Sequence, residues 1–128
     1  MTTALDLTPE QIQRYARSAR KRAAPPPLSP DELADYQALL QRILQAAELL
    51  KTRFHARRVI LFGSLAHQAW FRRDSDVDLA VEGLQGGDYM RAWAQVEQTI
   101  GDRQVDLIDI EAVSPSLRKA IERYGKVL

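Results

Sequence analysis

The chain has 128 residues, 45% of them hydrophobic and 27% charged, a net charge of +1 and no cysteine. Such a chain builds one hydrophobic core, and its composition excludes a disulfide framework, a thiolate metal site and a disordered polymer. No apolar stretch reaches spanning length, and Met1 to Glu10 lacks the layout of a secretory leader, so a cytoplasmic location without membrane contact is expected.

In chain order, Thr8-Pro9-Glu10-Gln11 reads as a helix start, with Thr8 as N-cap, Pro9 at the first helical position and Gln11 completing a capping box. The helix runs to about Arg22, and Pro25 to Pro27 then form a stiff linker. Ser29-Pro30-Asp31-Glu32 repeats the start signal, so the chain divides into residues 1–28, an N-terminal helix and proline-rich linker, and a folded domain at residues 29–128. Leu33, Tyr36, Leu40, Ile43, Ala47, Leu50 and Phe54 recur at alternating spacings of three and four, a seam about 35 Å long. Leu39 and Leu44 widen it. The seam is expected to pack on the domain's own sheet; docking of a partner is the alternative.

Val59-Ile60-Leu61-Phe62 is a short continuous apolar run ending at Gly63, as in a strand buried on both faces. Asp76 to Glu82 alternates with period two and predicts a second strand, which Gly83 to Gly87 breaks. Asp88 is the expected cap of a helix with Tyr89, Trp93, Val96 and Ile100 on its apolar face, closed by Gly101. Gln104 to Ile110 is a third strand, Ser114-Pro115 opens a helix to about Tyr124, and Lys126 to Leu128 add a short edge strand. Helices mixed with strands in this order predict an α/β (α+β) fold, a small mixed sheet packed by helices.

Carboxylates two apart on a strand share a face with Cα atoms about 6.5 Å apart, so Asp76 and Asp78 can grip a hard cation; a solvated strand face gives the same pattern. Asp106 shares its strand face with Ile108 and Ile110, where a charge needs a cation or a wet strand end. Asp109 falls on the opposite face. Gly63-Ser64 follows the buried strand directly: glycine permits close approach, and the Ser64 hydroxyl suits a phosphate oxygen or a helix cap. Residues 1–58 carry ten Lys/Arg against six Asp/Glu, and residues 59–128 eight against eleven, so the acids stand in the acidic half.

Leu61-Phe62-Gly63-Ser64, Ser75-Asp76-Val77-Asp78-Leu79 and Val105-Asp106-Leu107-Ile108-Asp109 together resemble the minimal nucleotidyltransferase family of the DNA polymerase β superfamily. The resemblance covers residues 58 to 110. It implies that Gly63 and Ser64 hold the triphosphate of ATP, that Asp76 and Asp78 bind Mg²⁺, two ions in all, and that Asp106 joins the metal site or helps to deprotonate the acceptor. Where the family commonly continues Gly-Ser with a small residue, Ala and Arg-Gly, this chain has Leu65-Ala66-His67-Gln68. Arg72 and Arg73 are the candidates to supply that missing charge to the nucleotide, exposed loop arginines being the other reading. His67 at a phosphate or in a surface turn, and Trp70-Phe71 against a base or under a loop, stay open in the same way.

The resemblance further implies an antitoxin that acts with a helical HEPN-type partner in a hetero-oligomer and transfers AMP from ATP to a hydroxyl, a tyrosine's, on that partner. The seam from Leu33 to Phe54 is then a candidate docking surface. A non-catalytic antitoxin that neutralises its partner by contact is the alternative, and a free-standing transferase for a small molecule a weaker third. The chain is short after Asp106 for an acceptor-binding domain, so the acceptor side is expected from elsewhere. Arg14, Arg17, Arg20, Lys21 and Arg22 are read as a solvated helix face, and no nucleic-acid partner is expected.

Overall fold

The computed structural model describes residues 27–66 and 75–128. The expected first helix, with its basic cluster, and most of the proline linker lie outside the described residues. So do His67, Trp70, Phe71, Arg72 and Arg73.

Helix α1, Pro30–Arg53, begins at the predicted capping box: Ser29 Oγ accepts from the Glu32 amide at 3.2 Å, and Glu32 Oε1 accepts from the Ser29 amide at 3.1 Å. Its buried face is Tyr36, Leu39, Ile43, Ala46, Ala47 and Leu50. These residues join the protein's own core, while Leu33 and Leu40 are only partly buried and Leu44 is exposed. The seam packs on its own domain, as expected: it is covered by the sheet and by the helix between the second and third strands. The helix ends where His55 takes a left-handed backbone (φ +60°) and the Ala56 amide turns back to the Leu50 carbonyl at 3.0 Å.

Strand β1 (Arg58–Phe62), a four-residue 3-10 turn (Gly63–Ala66), strand β2 (Val77–Glu82), helix α2 (Tyr89–Ile100), strand β3 (Val105–Asp109), helix α3 (Pro115–Tyr124) and strand β4 (Lys126–Val127) follow. The sheet order is β3-β2-β1-β4, with β2 and β3 parallel and the other two pairs antiparallel. A parallel pair needs a crossover, and α2 supplies it. The sheet is buried on both faces, which is why β1 reads as an unbroken apolar run. Val59, Leu61, Leu79, Val81, Val105 and Leu107 face α1 and α2; Ile60, Phe62, Ala80, Ile108 and Ile110 face Leu117 and Ile121 of α3.

Asp88 precedes α2 but makes no side-chain cap; its carboxylate lies 3.2 Å from Arg91 Nη1, and that ion pair replaces the expected bond. Ser114 does cap α3, accepting from the Leu117 amide at 3.2 Å. The bonds Val77 N–Gln104 O and Ile110 N–Val81 O set the β3 ladder so that the carbonyls of Val105 and Leu107 face the open edge. Trp93 Nε1 donates to the first at 3.0 Å and the Tyr89 hydroxyl donates to the second, so α2 covers the edge with aromatic donors.

The sheet has two unlike ends. At the end marked by Arg58 and Glu82, Arg58 Nη2 lies 3.1 Å from Glu82 and 3.3 Å from Glu122, and Arg118 reaches the same two carboxylates at 3.1 and 2.9 Å. At the other end stand Phe62, Asp78 and Asp106, and among the described residues no Lys or Arg pairs with Asp76, Asp78 or Asp106.

Candidate active site

The parallel register sets Asp78 beside Asp106, and the antiparallel register sets Phe62 opposite Asp78. Asp78 therefore shares the α3 face of the sheet with Asp106, just beyond the apolar cover of Ile108 and Ile110. Asp76 lies one residue ahead of β2 and is exposed, whereas Asp78 is 9% exposed. Burial, then the Asp106 charge and then that of Asp76, push the Asp78 carboxyl up to about 8. Burial and the Asp76 charge raise Asp106 as well.

Gly63 closes the site from below. Its φ is +74°, and a Cβ there would lie 2.3 Å from Asp78 Oδ2 and 3.2 Å from its Cγ. The Asp78 carboxylate thus occupies the space a side chain at 63 would need. Ser64 is half-buried next to it, while Leu65 and Ala66 are buried and anchor the turn in the core. The departure from the family's pattern at Leu65 has this structural use: its side chain is fully buried in the core that α1, α2 and the sheet share.

Gly63, Ser64, Asp76, Asp78 and Asp106 are therefore brought to one end of the sheet; Arg72 and Arg73 lie outside the described residues. Asp109, the last residue of β3, falls on the opposite face, and its carboxylate accepts from the Glu111 amide at 3.0 Å. Two features carry no mark in the sequence. Arg103 Nη1 donates to the Ser75 carbonyl at 3.0 Å, directly ahead of Asp76, and the Tyr89 phenol is pushed up to about 12 by burial and by the charges of Asp109 and Asp106. Bonds to main-chain carbonyls have no residue-type signature, so no spacing reveals them.

The donor chemistry suits a hard cation: all candidate ligands are carboxylate oxygens, and the mutual repulsion of the three acids is what a divalent ion would relieve. Among the described residues no three acidic or imidazole groups stand ready as a finished cage. The acids are a partial set, of the kind Mg²⁺ completes with water and substrate phosphates.

The family profile described as polymerase beta, nucleotidyltransferase matches residues 44–128, which contain every one of these site residues. The chain belongs to this nucleotidyltransferase family. A solved structure described as a candidate minimal nucleotidyltransferase is similar to it at 30% identity with a TM-score of 0.61, over 73% of this chain and 95% of the other. That likeness supports a place among the minimal nucleotidyltransferases. No curated protein is significantly similar to the chain. Among the described residues no helix is long and apolar enough to cross a membrane.

Proposed function

We propose that the protein is a Mg²⁺-dependent adenylyltransferase that moves AMP from ATP to a tyrosine hydroxyl on a helical HEPN-type partner, as the antitoxin of a toxin–antitoxin pair. The observation that carries the catalytic reading is the side-by-side placement of Asp78 and Asp106, with Asp76 adjacent and Gly63 beneath. Asp76, Asp78 and Asp106 would hold Mg²⁺, which when bound neutralises the triphosphate and stabilises the attacking and leaving oxygens. Gly63 and Ser64 would receive the phosphates, and Arg72 and Arg73 are proposed to add charge there.

In the reaction the acceptor oxygen bonds to the α-phosphorus, the bond from that phosphorus to the oxygen bridging the β-phosphate breaks, and pyrophosphate leaves with the electron pair. The hydroxyl proton passes to Asp106. The buried face of α1 packs in the protein's own core, which supports a docking surface for the proposed partner on other residues.

The test supplies α-labelled ATP and Mg²⁺ to the protein together with the HEPN-type protein encoded beside it. Label is expected on a tyrosine of the partner, and Asp78→Asn is expected to reduce its transfer at least about a hundredfold. A partner that stays unlabelled, yet is neutralised equally by Asp76→Ala/Asp78→Ala, would establish the non-catalytic binding role instead.

A further inference from the structure

We infer that Arg103 is a positioning residue for the acids, holding the backbone that presents Asp76 and Asp78. This rests on the reading of those acids as the cation site. The approach to β2 is fixed at two successive points: Arg103 Nη1 donates to the Ser75 carbonyl at 3.0 Å, and the Val77 amide donates to the Gln104 carbonyl at 2.9 Å. Asp76 lies between the two tied residues. It stands outside the strand ladder, so its place depends on these ties rather than on sheet pairing.

Ser75 is buried, and the guanidinium makes a charge-assisted bond to its carbonyl. Arg103 also lies on the segment that leads into β3 and Asp106, so one residue couples the approaches to both acid-bearing strands. Its segment is itself anchored. Arg42 of α1 donates to the Ile100 carbonyl and lies 2.9 Å from Asp102 Oδ1, and that bond holds the Asp102 carboxyl below its ordinary value. A chain of polar contacts therefore runs from α1 through residues 100–103 to Ser75, and a loosened Ser75 would let Asp76 drift from Asp78. The predicted consequence is weaker cation binding in an intact fold.

Mn²⁺ binding to the full chain, followed by the loss of its free-ion electron paramagnetic resonance signal, tests this alongside thermal melts. Arg103→Met is expected to weaken Mn²⁺ about 10- to 100-fold, the range typical of residues that orient metal ligands. Arg103→Lys, with a shorter reach and a compact ammonium, is expected to fall between Arg103→Met and wild type. Arg118→Met, in the ion network at the opposite end of the sheet, is expected to leave the affinity unchanged. Wild-type affinity in Arg103→Met, or equal weakening by Arg118→Met, overturns the assignment while the cation site stands. Should Arg103→Met not fold, an Arg103→Lys protein that binds Mn²⁺ as wild type does overturns it equally. Wild type that binds no more Mn²⁺ than Asp78→Asn removes the cation site, and the role of Arg103 with it.

Discussion

A Cβ at position 63 would lie 2.3 Å from Asp78 Oδ2, and the backbone there has a φ of +74°. Gly63→Ala therefore combines a left-handed strain of about 1–2 kcal/mol with a collision that the Asp78 carboxylate must resolve by moving. The expected result is at least about tenfold weaker Mn²⁺ binding, with a lowered melting temperature, and a double-mutant cycle with Asp78→Ala identifies the cause. If the collision is responsible, Gly63→Ala costs less stability once Asp78 is already Ala; an unchanged cost would assign the effect to the backbone alone. The Asp-x-Asp spacing and the Gly-Ser step were legible because each is local. That Gly63 is shaped around Asp78 was not, because their contact depends on the antiparallel register of β1 and β2. Asp106 lies between these cases: its strand was readable, but its position beside Asp78 is a product of the crossover through α2.

Among the elements, the described strands and helix starts followed their sequence signals closely, and α1 packs on its own domain as its seam implied. Periodicity names the apolar face of α1 but not what covers it, and the cover is α2 and the sheet. Asp88 has the residue type of an N-cap but is drawn off by Arg91. The join of α3 to β4 carries a constraint of the same non-local kind. A Cβ at Gly125 would lie 2.5 Å from the Ile121 carbonyl oxygen, 2.5 Å from Ile60 Cγ2 and 3.2 Å from the Leu61 carbonyl oxygen, so the glycine allows the helix end to meet β1. Two of those three atoms are backbone and cannot swing away. Gly125→Ala is expected to destabilise the fold by about 1–3 kcal/mol, the usual range for overpacking, as read from the midpoint of urea unfolding. A midpoint equal to wild type would mean that β4 separates from β1 without loss, and that the edge strand contributes nothing to stability.

Across the whole molecule, one end of the sheet is neutralised by Arg58, Glu82, Arg118 and Glu122, whereas the acids at the other end repel one another. That difference makes stability depend on pH in a direction opposite to ordinary acid denaturation. Asp78 titrates near 8 when folded against 3.8 as a free side chain, so between those values the native state holds a proton that the unfolded chain has released. Its contribution is fully present below the unfolded value and is lost as pH rises through about 8; Asp106 is shifted in the same direction. Asp102 and Glu122 are lowered and act in the opposite sense, but both are solvent-exposed and weakly coupled to stability. In EDTA, the melting temperature is expected to fall on the order of 5–10 °C between pH 5 and pH 8.5. Asp78→Asn, which carries no charge to desolvate, should flatten most of that slope. At pH 8.5, saturating Mg²⁺ with a non-hydrolysable ATP analogue should restore stability to wild type and much less to Asp78→Asn, because only the native site binds them. A slope unchanged by Asp78→Asn would move its origin away from the acids, and equal restoration of both proteins would place the nucleotide elsewhere.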